Sequence, residues 1–157
     1  MLLAIDGSTK KTGIAAFDSG GKLLGYKTIR AKNSEPVLKR IEFMINEIEK
    51  IIIDKNITKC CIEEVPLKKG SMATFKALFY LQGFLIKMLE KHNVKYNFLE
   101  PSEWRRICGI KNGRGIKREE VKQLDIAFVK EKFDIIANDD VCDAISIGYA
   151  YFKKKGE

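Results

Sequence analysis

The stretch Met1-Leu2-Leu3-Ala4-Ile5-Asp6-Gly7-Ser8 decides how the rest of the chain is read. A short run of Leu, Ala and Ile suits a strand buried on both faces, and the Gly-Ser-Thr that follows is turn chemistry. Asp6 then stands at the tip of a central strand. Taken alone, it is either a turn cap or a functional carboxylate. Later residues have to choose between the two.

A length of 157 residues predicts one domain, 1–157, with a full core. Apolar residues make up 45% and charged residues 32%, a globular composition without a linker-like block. The N-terminal apolar run is only five residues long before Asp6, so neither a signal peptide nor a membrane span is expected, and the chain reads as cytoplasmic. Four cysteines without C-x-x-C spacing and a single histidine, His92, argue against a zinc site and a Ser-His-Asp triad. Any metal is then held by oxygen, which selects a hard ion such as Mg²⁺ or Mn²⁺. The net charge of +8 points to a polyanionic partner.

Outward from Asp6, Ile14-Ala15-Ala16-Phe17 predicts a second strand and Lys22 to Arg30 a third, forming an antiparallel meander. Ser34, Glu35 and Pro36 predict a helix start, with a buried stripe from Val37 to Ile52 and an end near Asn56. Ile57 to Ile62 is a fourth strand, parallel to the first because a helix crosses between them. An apolar helix from Ser71 to about His92 carries hydrophobic residues on more than one face, which suits burial in the core and in a subunit interface. Val94 to Leu99 is a fifth strand. A short helix from Pro101 to Gly109, a helix from Arg118 to Phe133, and one from Asp139 to Lys154 capped by Asn138 complete the chain.

The first and fourth strands are expected side by side, with Asp6 and either Glu63 or Glu64 at their carboxyl ends, where open α/β sheets bind ligands. On the last helix Asp140 and Asp143 share a face at i, i+3, and Asp139 and Asp143 do so at i, i+4. Converging carboxylates repel one another unless cations offset them. Two divalent ions do so, and such a pair hydrolyses phosphodiesters without a histidine or serine nucleophile. Asp143, flanked by Cys142, Ala144 and Ile145, is costly on that apolar surface without a metal or a cation.

These residues resemble the RuvC-type Holliday junction resolvases of the ribonuclease H-like superfamily. The resemblance lies in Ala4-Ile5-Asp6-Gly7-Ser8 with Thr12-Gly13-Ile14-Ala15, Ile62-Glu63-Glu64-Val65, and Asp140-Val141-Cys142-Asp143-Ala144-Ile145. It implies an α/β ribonuclease H-like fold, a five-stranded mixed sheet of order 3-2-1-4-5 flanked by helices. It implies Asp6, Glu63, Asp140 and Asp143 as catalytic metal ligands, favouring Glu63 over Glu64 and Asp140 over Asp139. It further implies a homodimer, formed through the helix starting near Ser71, that nicks four-way junctions with Mg²⁺ or Mn²⁺ in recombination and repair. Family members commonly carry an aromatic just after the Glu-x-Val element, where this chain has Pro66-Leu67. Leu67 is the residue placed to wedge between bases, and the departure predicts weaker sequence selectivity and activity on other branched DNA.

Lys10, Lys11, Lys68, Lys69, Arg105, Lys111, Arg114, Lys117 and Arg118 are the candidate DNA contacts, most of them in loops expected beside the catalytic face. Competing readings are a ribonuclease H-like nuclease acting on structured RNA or an RNA–DNA hybrid, and a non-catalytic junction-binding protein. A nucleotide-binding protein of the actin and sugar-kinase type also begins with strand-Asp-Gly, but needs a second lobe that this length does not supply.

Overall fold

The computed structural model describes residues 1–65, 71–111, 113 and 115–156. Strands β1 (Leu2–Asp6), β2 (Lys11–Phe17) and β3 (Leu23–Arg30) form the expected meander. They are followed by α1 (Val37–Asp54), β4 (Lys59–Glu63), α2 (Met72–Lys91) and β5 (Lys95–Leu99). The chain closes with α3 (Pro101–Ile107), α4 (Arg118–Phe133) and α5 (Asp139–Lys155). The sheet order is β3-β2-β1-β4-β5, with β4 parallel to both β1 and β5, as the crossover rule requires.

The two-residue period of β1 divides the interior. Leu2 and Ala4 point into a core with Phe17, Cys61, Trp104, Val129 and the apolar side of α5. Leu3 and Ile5 point into a second core with Ile14, Cys60, Ile62 and the buried stripes of α1 and α2. Adjacent Cys60 and Cys61 therefore lie on opposite faces, and all four cysteines are free and buried. Both faces of the central strands are covered, which is why β1 reads as a continuous apolar run.

Several sequence expectations shift. No side chain caps α1: its N-cap position is Pro36, not Ser34, and the Arg40 N–H reaches the Pro36 carbonyl. Leu124 of α4 is exposed, while Asp125 takes the buried place between Val121 and Val129. Helix α2 begins at the expected cap, with Ser71 accepting from the Thr74 N–H. It is also long and apolar enough to cross a membrane, with a mean hydropathy of 1.2. In the fold its Leu81, Leu85, Met88 and Leu89 are buried in the core, whereas Met72, Phe79, Tyr80 and Phe84 stay exposed.

Candidate active site

The site begins with the pairing of Asp6 on β1 with Gly13 on β2. Thr12 closes the intervening turn: its hydroxyl donates to the Ser8 carbonyl at 2.7 Å and accepts from the Ser8 N–H at 3.1 Å. Gly13 has no side chain because the first turn of α5 lies on it; a Cβ there would overlap the carbonyl oxygen of Asp140. Eight residues along α5, Gly148 lies against the Phe17 ring in the same way. Two glycine contacts thus hold α5 close to the sheet, and the first brings Asp140 beside Asp6. On the other flank of β1, β4 ends in Glu63.

Asp6, Glu63, Asp140 and Asp143 act on one another electrostatically. Loss of water around Asp6, then repulsion from Glu63, Asp143 and Asp140, holds its carboxyl well above the usual carboxylate range. The two carboxyls act on each other in opposite senses, Glu63 raising Asp6 and Asp6 lowering Glu63. Desolvation also raises Glu63 and Asp143. Asp140 is raised by desolvation and by Asp139, against the opposing pull of Lys11 and Arg30.

Glu64 accepts from Gln82 Nε2 of α2 at 3.2 Å, and Asp139 is ion-paired with Lys122 of α4, which lowers its pKa. Glu63 and Asp140 are among the carboxylates whose charge acts on Asp6.

Three supporting residues escaped the sequence reading. Trp104, fully buried on α3, donates from Nε1 to Glu63 Oε1 at 3.0 Å. Arg105, expected on DNA, instead turns inward: its guanidinium sits 4.4 Å from the Trp104 ring centroid and 4.0 Å from Glu63 Oε1. From there its charge also lowers Asp143 and Asp125. Asp125 of α4 is 1% exposed, accepts a hydrogen bond from the Ser146 hydroxyl and is hydrogen-bonded to Asp143. Burial, then Asp143, pushes the Asp125 carboxyl up to about 8, so it is the proton donor of that pair.

The donor set is all oxygen, rich in negative charge and countered mainly by Arg105, which suits a hard divalent cation. Among the described residues, no three of these side chains close tightly enough to form a finished cage.

The other candidate contacts disperse. Lys10 and Lys11 are exposed at the β1–β2 turn, with Lys11 opposite Arg30 across the sheet. Lys111, Lys117 and Arg118 are exposed around the start of α4. Leu67, Lys68, Lys69 and Arg114 lie outside the described residues.

No family model matches the chain. Among curated proteins it resembles the crossover junction endodeoxyribonuclease RuvC of Rickettsia prowazekii, 23% identical over 152 residues, covering 95% of this chain and 94% of the relative. The Rickettsia typhi protein of the same name is 23% identical over 128 residues, covering 82% and 79% of the two chains. In fold it resembles Thermus thermophilus RuvC in complex with a Holliday junction substrate, with TM-score 0.75, 13% identity and coverage of 99% and 95%. The Fowlpox virus resolvase, in complex with Holliday junction DNA, matches with TM-score 0.64, 14% identity and 99% coverage of both chains. Over nearly its whole length the chain is thus similar in sequence to RuvC proteins and in fold to RuvC and a viral Holliday junction resolvase.

Proposed function

We propose that residues 1–157 act as one structure-specific endodeoxyribonuclease that resolves Holliday junctions and other branched DNA by metal-dependent phosphodiester hydrolysis. The observation that carries this reading is the electrostatic coupling of Asp6 to Glu63, Asp140 and Asp143 at the carboxyl ends of β1 and β4. The names of the relatives agree with it.

In this reading Asp6, Glu63, Asp140 and Asp143 hold Mg²⁺ or Mn²⁺, two ions per site. Bound there, the ions supply the positive charge that lowers the pKa of the attacking water and stabilises the leaving oxygen. Asp6, with Glu63 on one flank and α5 on the other, would be the central carboxylate of that set. Trp104 and Arg105 fix the direction of Glu63, and Asp125 fixes that of Asp143, so these three are positioning residues. Lys10, Lys11, Lys111, Lys117 and Arg118 supply exposed charge for phosphates near this face, as Lys68, Lys69 and Arg114 do in the sequence reading.

The exposed Phe79, Tyr80 and Phe84 of α2 make this helix the contact of a homodimer, whose two sites cut opposed strands of a four-way junction. The expected setting is the cytoplasm of a bacterial or phage-infected cell, in recombination and repair. The test is Asp143→Asn assayed for both binding and cleavage of a four-way junction with Mg²⁺ or Mn²⁺. Retained binding with lost cleavage is expected. Cleavage at the wild-type rate refutes the assignment, and equal cleavage of folded RNA or an RNA–DNA hybrid replaces the substrate class.

A further inference from the structure

A cavity of about 600 Å³ opens beside the crevice, within the size range of ligand pockets, roughly 300–1,000 Å³. Its walls come from three elements: the turn that leaves β1 just beyond Asp6, the start of α1, and the first half of α2. Three cations line it, Lys10 from the turn, Arg40 from α1 and Lys76 from α2, together with the hydroxyl-bearing Ser8, Thr9, Thr74 and Tyr80. Among the described residues no carboxylate lines it. Neither the Lys10 nor the Lys76 ammonium is ion-paired among the described residues, unlike Lys39, Lys50, Lys91, Lys122 and Lys154.

Arg40 is the most constrained of the three. Its Nη1 donates to the Glu35 carbonyl at 2.8 Å, which anchors the guanidinium. Its Nε is buried and has no hydrogen-bond acceptor among the described residues, although buried donors in folded proteins are nearly always satisfied. A planar guanidinium fixed at one end with an unused donor, flanked by two lysines and hydroxyl-bearing side chains, matches the oxygens of a phosphodiester. An acidic peptide would meet the same charge, but the cavity adjoins the crevice where the proposed reaction requires a nucleic acid strand.

We infer that this cavity is a second phosphodiester subsite, in which Arg40, Lys10 and Lys76 hold a phosphate of the substrate strand outside the scissile one. The inference rests on the nuclease reading above and adds Arg40 and Lys76 to its contacts. Its role is to set the register of the strand, so that the neighbouring phosphate lies at the carboxylates.

The test measures binding of a four-way junction without divalent metal. Wild-type chain is compared with Arg40→Gln, Lys76→Ala and the Lys10→Ala/Lys76→Ala pair, each checked for folding by circular dichroism. The DNA carries a single neutral methylphosphonate, moved one position at a time around the cleavage site. Wild-type binding is expected to weaken at one such position outside the scissile phosphate, and the variants are expected to be insensitive at that same position. Their logarithmic salt slope falls by about 0.9, one phosphate's share. If Arg40→Gln does not fold, the lysine variants, altered at exposed positions, carry the same comparison. Variants that keep the wild-type slope and the wild-type pattern of sensitivity overturn the subsite while leaving the nuclease reading intact. A wild-type chain that does not bind the junction overturns the nuclease reading and the subsite with it.

Discussion

Gly13 ties the fold to the proposed chemistry through one missing methyl group, so Gly13→Ala tests both. A Cβ at this position would overlap the carbonyl oxygen of Asp140 and lie 3.2 Å from the Val141 nitrogen. Both are backbone atoms of α5, so no side-chain rotation relieves the clash. The first turn of α5 must withdraw by about 1.2 Å to reach even the shortest distance that real Cβ contacts show. Overpacking of this kind costs about 1–3 kcal/mol. For catalysis, a misplacement of about 1 Å costs on the order of 10²-fold in rate. Gly148→Ala is the control, because its Cβ would strike the Phe17 ring from the same helix, 2.9 Å from Cδ2 and nearer still to the ring edge. At about 1.5 Å per residue that clash lies roughly 12 Å from Asp140. Both variants are expected to lose 1–3 kcal/mol or so in urea denaturation. In single-turnover junction cleavage with saturating, folded enzyme, Gly13→Ala should fall about 10²-fold and Gly148→Ala less than about tenfold. Wild-type cleavage by a folded Gly13→Ala chain refutes the claim that this contact positions Asp140. An equal loss in Gly148→Ala traces the effect to general destabilisation.

Asp125→Leu should cost about 2–3 kcal/mol in urea denaturation, because it strands the Ser146 hydroxyl and Asp143, whereas Asp125→Asn keeps an acceptor and a donor there and should lose less than half as much. Equal losses would show that volume alone matters at this site. Trp104→Phe keeps the buried ring but removes the donor to Glu63; a metal titration of junction cleavage should show a requirement raised by about 10- to 100-fold, and an unchanged curve removes Trp104 from the positioning set. Glu49 on α1 accepts from His92 and Lys91 at the end of α2, contacts that hold its pKa below the ordinary glutamate value. A depressed carboxylate stabilises the fold above the unfolded-state pKa of about 4.5 and loses that contribution as pH falls through the folded value. Glu49→Gln should therefore lower stability by about 1 kcal/mol at pH 7, discounted for its partly exposed partners, and converge with wild type in thermal melts only as pH falls through the lowered folded-state value. A constant difference across that range would assign the effect to packing.

The sheet order was legible because its signals are local and mutually constraining. Tight turns after Phe17 and Asp6 force a meander, and a helix between Arg30 and Lys59 leaves β4 to pair beside β1 in parallel. Strand ends and helical spacing offered Asp6, the Glu63-Glu64 pair and the acids of the last helix as candidates, but they left Glu63 or Glu64 and Asp139 or Asp140 open, and only the resemblance favoured one of each. Arg105 was not legible for the opposite reason: in Arg105-Arg106, on a helix of seven residues, sequence does not say which side chain turns inward, and only the buried Trp104 ring settles it. Asp125 did leave a signal. It lies at i+4 from Val121 and i−4 from Val129, so a carboxylate occupies the centre of an apolar stripe, a position tenable only with a partner such as Ser146. That Glu64 turns to Gln82, a residue 18 positions away, is likewise invisible from the spacing around β4.

The charge distribution gives the site its logic. The chain as a whole is +8, yet Asp6, Glu63, Asp125, Asp140 and Asp143 crowd one crevice with Arg105 among them. A phosphodiester entering that crevice meets acids where the rest of the surface offers bases. In the proposed reading the exposed Lys10 and Lys11 after β1, with Lys117 and Arg118 at the start of α4, hold a strand by its flanking phosphates without neutralising the centre. Affinity and chemistry are thus assigned to different residues. The strand binds through charge that salt screens, whereas its scissile phosphate becomes tolerable between the carboxylates only when a cation joins them. Arg105 alone is too little to take that place, because one guanidinium beside Glu63 offsets one carboxylate and leaves Asp6, Asp140 and Asp143 facing the phosphate.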